Sequence, residues 1–354
     1  MAGLMYQLFE SSTLLTLGLY HLICTTRNFL KSPQSYSAKP FHPFSFSSNL
    51  RLKYLPLYLL IVCLFIAFLH QSFISSDPDP LLKGRTPVHR FTTLHSAAVL
   101  FLFFILSVSL LLSESTSLLP LPSDLFFAFA SALFFLQYSV STAAASVQTS
   151  DLQAKCDSLS ARVSSLASLM CLILACHPKL FIAEVGLGAA LCLQGLWELQ
   201  TGLSLYVEAF IPEGCHKLLD VVSGVEGSTK CDLDESRLRA VAILDLVFVV
   251  HAMFVVIIVM LTYALVAKTV GMKRLGSYEA LPTNAADSNH IQMKACGGMA
   301  DAEALYLLGG GHWVQNVELT TVYEKGLRGW CCFPETMATM AEIMVVNLTR
   351  VNNE

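Results

Sequence analysis

The sequence predicts an all-α polytopic membrane protein, a bundle of about seven transmembrane helices, and three observations carry that reading. Of the 354 residues, 54% are hydrophobic and only 14% charged, with a mean hydropathy of +0.59; soluble domains carry about 25% charged residues. The shortage runs along most of the length, which argues for many spans rather than one anchor. Between Arg239 and Lys268 the only ionisable side chains are Asp245, His251 and Tyr263, and that run exceeds the roughly 20 residues a helix needs to cross a hydrocarbon core. Six further apolar stretches precede it.

Taken in order, the first span covers residues 4–23 and carries Glu10 and His21. The second covers 52–74 and the third 91–112. The fourth, 118–143, is opened by Pro120 and Pro122. The fifth, 159–176, and the sixth, 180–210, are separated only by His177, Pro178 and Lys179, a helical hairpin in which proline ends the first helix. The seventh covers 240–267. The domain organisation expected is a transmembrane domain over 1–270 and a cytosolic tail over 271–354, mostly disordered. No basic n-region precedes the opening apolar stretch, whose first Lys or Arg is Arg27, so a cleaved signal peptide is not expected.

The positive-inside rule sets the expected orientation. The first loop holds Arg27, Lys31, Lys39, Arg51 and Lys53 without an acid, and Lys268, Lys273 and Arg274 follow the last span. An odd number of spans puts both on one side, taken as cytosolic, with the amino terminus luminal or outside. The acidic Val207–Arg239 loop then faces the lumen, and its Cys215 and Cys231 are a disulfide candidate; two free thiols are the alternative. The other cysteines in apolar runs, Cys63, Cys171, Cys176 and Cys192, read as small hydrophobes. In the tail, Tyr278 and Leu281 fit a tyrosine-based sorting motif for a trafficking adaptor, Cys331-Cys332 could be acylated, and Asn347-Leu348-Thr349 is a glycosylation sequon that a cytosolic tail would leave silent.

Buried polar residues narrow the function. With that orientation Glu10, His70, His95, Glu198, Asp245 and His251, from five helices, fall in the luminal half, with Gln194 one turn from Glu198 on the same face. His21 and Glu184 fall toward the cytosolic side. An ionisable group facing lipid costs about 2.5–3.5 kcal/mol on insertion scales, so six at similar depth predict a shared polar interior that handles protons, a divalent metal or a small ligand. The alternative is that these groups only hydrogen-bond helices together. Against a metal shared by Asp245 and His251, six residues on one helix place them about 120° apart. Gly186, Gly188, Ala190, Gly195 and Gly202 offer small faces for helix packing, and Trp197 and Tyr206 suit an interface. A net charge of −4 gives no case for nucleic acid, and no phosphate loop, zinc-finger spacing or nucleophile elbow is present.

Leu17-Gly18-Leu19-Tyr20-His21, Thr93-Leu94-His95-Ser96, the run from Leu193 to Gly202, Asp245 to His251, and Ser277–Leu281 with Asp287-Ser288-Asn289-His290 form a set. Together they resemble the transmembrane protein 45 family in its plant branch (domain of unknown function 716, viral-response-type membrane proteins). The resemblance covers most of residues 1–295. It departs at Glu10-Ser11, where the family has a Gly-His pair, and over 296–354. It implies a multi-pass helical protein of the endomembrane system or plasma membrane, supplies no reaction, and draws attention to His21, His95, Glu198 and His251.

The leading expectation is a non-enzymatic membrane bundle with a luminal-side polar pocket formed by His95, Glu198, Asp245, His251, Gln194 and His70, with the lipid bilayer as its surroundings. No cofactor is required, and a divalent metal stays open. The alternatives are a membrane-embedded metal-dependent lipid hydrolase, in which a zinc-bound water attacks an amide or ester, and a sorting or scaffold protein working in stress or viral response. The sequence lacks the paired-histidine signatures of such hydrolases.

Overall fold

A computed structural model describes residues 2–43, 53–74, 88–116, 119–148, 150–219 and 226–270; the expected tail, with Tyr278, Leu281, Cys331, Cys332 and Asn347, lies outside them. Among the described residues seven α-helices follow one another: α1 Ala2–Lys31, α2 Leu55–Ile74, α3 Val88–Ser115, α4 Ser123–Val147, α5 Asp151–Cys176, α6 Phe181–Tyr206 and α7 Asp234–Val270. Six of them, α2 to α7, are long and apolar enough to cross a membrane. The protein is therefore a multi-pass, membrane-embedded helical bundle. Its first helix, α1, carries Glu10, His21, Arg27 and Lys31 and is not among those six.

Helix ends follow capping chemistry rather than the ends of apolar runs. The fifth span was expected from residue 159, but α5 begins at Asp151 because the Ser150 hydroxyl accepts from the Gln153 N–H at 3.4 Å, the usual N-cap arrangement. That extension brings Lys155 into the helix. At α4, Pro122 precedes the first helical residue and sets its start, later than the expected 118. Between α5 and α6 the chain turns over His177–Lys179, with the His177 N–H donating to Ile173 O at 2.7 Å.

The pairing of α1 with α6 is one of the two most extensive helix interfaces, the other being α4 with α5. It is antiparallel, and small residues set its register. Gly3 lies against Tyr206, Gly202 against Gln7, Gly195 against Ser11 and Leu15, Gly18 against Cys192, and Gly188 against Leu22. At Gly195 an added Cβ would sit 2.7 Å from the Leu15 backbone N, and at Gly18 it would sit 2.8 Å from the Cys192 backbone N. The two backbones approach this closely because these positions carry no side chain. Across the other interface Ser131 donates to Ser168 O at 3.0 Å and Ser168 to Ser131 O at 2.8 Å, a reciprocal pair that satisfies both hydroxyls without water.

The main core gathers Leu22, Phe127, Val163, Leu174, Cys192 and their neighbours. A second cluster, Leu152, Cys156, Leu159, Trp197, Leu205, Ala240 and Leu244, joins α5, α6 and α7 at one end of the bundle. The outward faces are apolar as well: Leu246, Val249, Met253, Phe254, Val256, Ile257, Met260 and Leu261 along α7 are all exposed. That pattern suits lipid rather than water as solvent.

The Val207–Arg239 segment expected as a luminal loop contains a two-stranded antiparallel hairpin, β1 Cys215–Leu219 and β2 Glu226–Cys231, with Cys215 opposite Cys231. The two cysteines form a disulfide. Fully buried Thr229 anchors the hairpin: its carbonyl accepts from Ser150 at 2.6 Å and its hydroxyl donates to Leu205 O at 3.4 Å. The hairpin thus seals the end of the bundle where α5 begins and α6 ends.

Two measurements probe the seam and the hairpin. Gly195→Ala pushes a methyl into the α1 backbone and should destabilise the protein by about 1–3 kcal/mol, read as a lower Tm in detergent. Gly186→Ala, which meets only the flexible Met170 side chain, should cost less. In protein purified without reductant, Cys215 and Cys231 should resist alkylation until reduced, as read by mass spectrometry of the peptides.

Candidate functional site

A cavity of about 420 Å³ runs inside the bundle, lined by residues of α1 to α6 and by the segment that follows α1. One end holds Tyr6, Glu10, Gln71, Asp157, Ser160, Gln194 and Glu198; the other holds Tyr20, His21 and His42. Between them the wall is mostly apolar, with Leu14, Leu17, Leu64, Phe103, Phe134 and Leu187. The antiparallel register explains the two ends. Along α1, His21 follows Glu10 by about three turns and therefore faces the same way. Along α6, Glu184 and Glu198 stand about 21 Å apart at 1.5 Å per residue, and each falls beside one of the α1 residues.

At the first end Glu198 is buried, and its Oε1 accepts from Ser160 Oγ at 3.0 Å and from Gln194 Nε2 at 2.6 Å. Gln194 also donates to Ser160, closing a three-member network between α5 and α6. Glu10 faces the same space and interacts electrostatically with Glu198, while Tyr6 interacts with Glu10 and Gln71. Asp157 accepts from Gln148 Nε2 at 3.2 Å. Among the described lining residues there is no Lys or Arg.

At the other end Glu184 is fully buried. Its Oε1 accepts from Thr25 Oγ1 at 3.0 Å and lies 3.2 Å from His42 Nε2 and 3.9 Å from His21 Nε2; its Oε2 accepts from the Tyr36 hydroxyl. The Tyr36 phenol is itself held above its ordinary pKa by burial and by the neighbouring carboxylate, so it stays an O–H donor. Residues 32–43 are folded back under the α5–α6 turn by Ala38 N–H donating to Pro178 O at 2.7 Å. Tyr20 donates to His42 O at 2.5 Å. Phe29 stacks on Phe181 at 4.0 Å, with Tyr36 edge-on to both, so aromatic rings cover Glu184.

The residues singled out from the sequence divide. Glu198 and Gln194 meet at one end of the cavity, with Glu10 beside them. His70 stacks on Tyr6 with ring centroids 4.0 Å apart and sits just behind that end. His95 is exposed on α3 while its neighbour Ser96 lines the cavity. Asp245 pairs with Lys155 Nζ at 2.8 Å, with nearly half its side chain exposed. His251 has its Nδ1 2.7 Å from Val247 O on its own helix and presents its ring edge-on to Trp197. His95, Asp245 and His251 therefore do not share one chamber with Glu198. Depth along a helix does not fix direction around it, and these three point elsewhere. His42 and Tyr36, outside any span, escaped the sequence reading, although His21 and Glu184 already marked the right depth.

Residues 123–264 match the family model described as "Family of unknown function (DUF716)". The match takes in α4 to α6, the hairpin and most of α7, with Ser160, Glu184, Gln194 and Glu198. Glu10, His21 and His42 precede it. It supports the sequence resemblance at the level of that family, while the transmembrane protein 45 name and the plant branch rest on the motifs alone. Comparison with curated proteins gives no match.

Glu198→Ala should strand Ser160 and Gln194 and cost about 1–3 kcal/mol, whereas His95→Ala and Asp245→Asn should stay within about 0.5–1 kcal/mol of the parent protein. Thermal melts of the three variants in one detergent check the contrast.

Proposed function

We propose that the protein is a membrane bundle whose interior binds protons or a cationic small ligand. The observation that carries this reading is the charge balance of the cavity: Glu10, Asp157 and Glu198 line it together, and no Lys or Arg among the described lining residues opposes them. Like charges in a low-dielectric site cannot all be ionised without a counter-charge. A proton, or a cation entering the cavity, is the natural one. The Gln194 and Ser160 donors fix the Glu198 carboxyl in place, as a binding group requires.

Two other features support an orientation with the amino terminus luminal or outside. The disulfide-linked hairpin suits an oxidising compartment, and the basic segment between α1 and α2 suits the cytosol. The Glu10–Glu198 end then faces the lumen or the outside, in the endomembrane system or the plasma membrane. A second reading, the membrane-embedded metal-dependent hydrolase, is favoured by one arrangement only, the two imidazoles and carboxylate at the other end.

Proteoliposomes with a pH-reporting dye, together with calorimetric binding of tetramethylammonium, test the proposal. Wild-type protein should carry protons or bind the probe. Glu10→Gln and Glu198→Gln should each reduce the signal at least about tenfold, the scale of one lost charge-assisted contact, and His95→Ala should not. A wild-type protein that does neither, or glutamine variants that match it, overturns the reading.

A further inference from the structure

The opposite end of the cavity carries a different chemistry, independent of any cation bound between Glu10 and Glu198. We infer that His21, His42 and Glu184 form a binding site for a divalent transition-metal ion of the zinc type. One ligand atom from each lies within 4.8 Å of the others. Glu184 Oε1 stands 3.2 Å from His42 Nε2 and 3.9 Å from His21 Nε2. A tetrahedral zinc with bonds of about 2.0–2.1 Å separates its ligands by about 3.3 Å, so the trio needs only a small adjustment to close on one ion. Two imidazoles and one carboxylate are a donor set that zinc favours.

Four further observations point the same way. His21 Nε2 is buried and has no hydrogen-bond partner among the described residues, although it is directed at Glu184; such an orphan is costly unless something occupies the gap. The described side chains in contact with Glu184 include hydroxyls and imidazoles but no Lys or Arg, so the buried carboxylate lacks a permanent cation. Each of its oxygens also accepts one hydroxyl, from Thr25 on Oε1 and Tyr36 on Oε2, the outer contacts that orient a metal-bound carboxylate. The Tyr20 bond to His42 O holds the third ligand, which comes from a loop, against the two helices.

The site has three protein donors, and both histidines line the cavity. A fourth position would therefore open inward, toward water or a ligand in the cavity, the arrangement that distinguishes a reactive zinc site from a closed structural one. The aromatic cover of Phe29, Tyr36 and Phe181 shuts the other side.

The experiment uses the full chain, purified in detergent and stripped with chelator. It is titrated with Zn²⁺ and, as a visible probe, with Co²⁺. One ion per chain is expected, with Co²⁺ giving the intense visible absorption of a tetrahedral centre. His42→Ala and Glu184→Ala should abolish that spectrum, and Tyr36→Phe should weaken Zn²⁺ binding by about 10–100-fold. His95→Ala and His251→Ala should leave both unchanged. Because Glu184→Ala could prevent folding, His42→Ala, altered in a loop, is the decisive variant, with monodispersity on gel filtration as its folding check. A folded wild-type protein that takes up no stoichiometric metal overturns the inference and leaves a purely hydrogen-bonded cluster. Equal uptake by folded His42→Ala does the same.

Discussion

The structure depends on how closely α1 and α6 can approach. α1 is not among the helices apolar enough by themselves to cross a membrane and holds its place through contact with α6 along nearly its full length. Gly18 and Gly195 make that contact backbone to backbone, and Gly3, Gly188 and Gly202 leave room for the side chains of Tyr206, Leu22 and Gln7. In lipid there is little hydrophobic drive for helices to associate, and close packing of small residues supplies the attraction instead. The same seam sets the register that puts Glu10 beside Glu198 and His21 beside Glu184. Slipping it by one residue would rotate each of these groups about 100° away from its neighbour. Packing and chemistry here are one constraint.

The cavity that results is polar at its ends and apolar in between. At each end a buried carboxylate from α6 is held by hydroxyl or amide donors: Ser160 of α5 and Gln194 one turn earlier for Glu198, Thr25 and Tyr36 for Glu184. The two imidazoles among the described lining residues, His21 and His42, both stand at the second end. That asymmetry separates a site suited to protons or organic cations from one suited to a coordinating metal. It arises because residues 32–43 leave α1 and return under the α5–α6 turn, carrying His42 with them.

Much of the architecture was legible in the sequence, because apolar run length maps directly onto spanning helices. Each of the seven expected spans lies mostly within one of the seven helices. At one missed edge a cap decided the start: Ser150 begins α5 well before its apolar portion, and this extension brings in Lys155, which pairs with Asp245. The pairing of Gln194 with Glu198 was visible as a one-turn spacing. Grouping His95, Asp245 and His251 with them was not justified, since hydropathy gives depth and no azimuth. Nor could it supply His42, whose position depends on the fold of a loop rather than on a helical period.

The length of α7 has a consequence of its own. Of its 37 residues, the apolar run from Ala240 to Ala267 extends about 42 Å at 1.5 Å per residue, beyond the roughly 30 Å of a typical hydrocarbon layer. Its early turns are committed to the hairpin and its exposed flank is apolar far past the midpoint. Such a helix must lean, or draw the surrounding lipid thicker, and either adjustment is easier in some membranes than in others. The dimension of one helix thus sets how far the bundle and the bilayer around it have to accommodate each other.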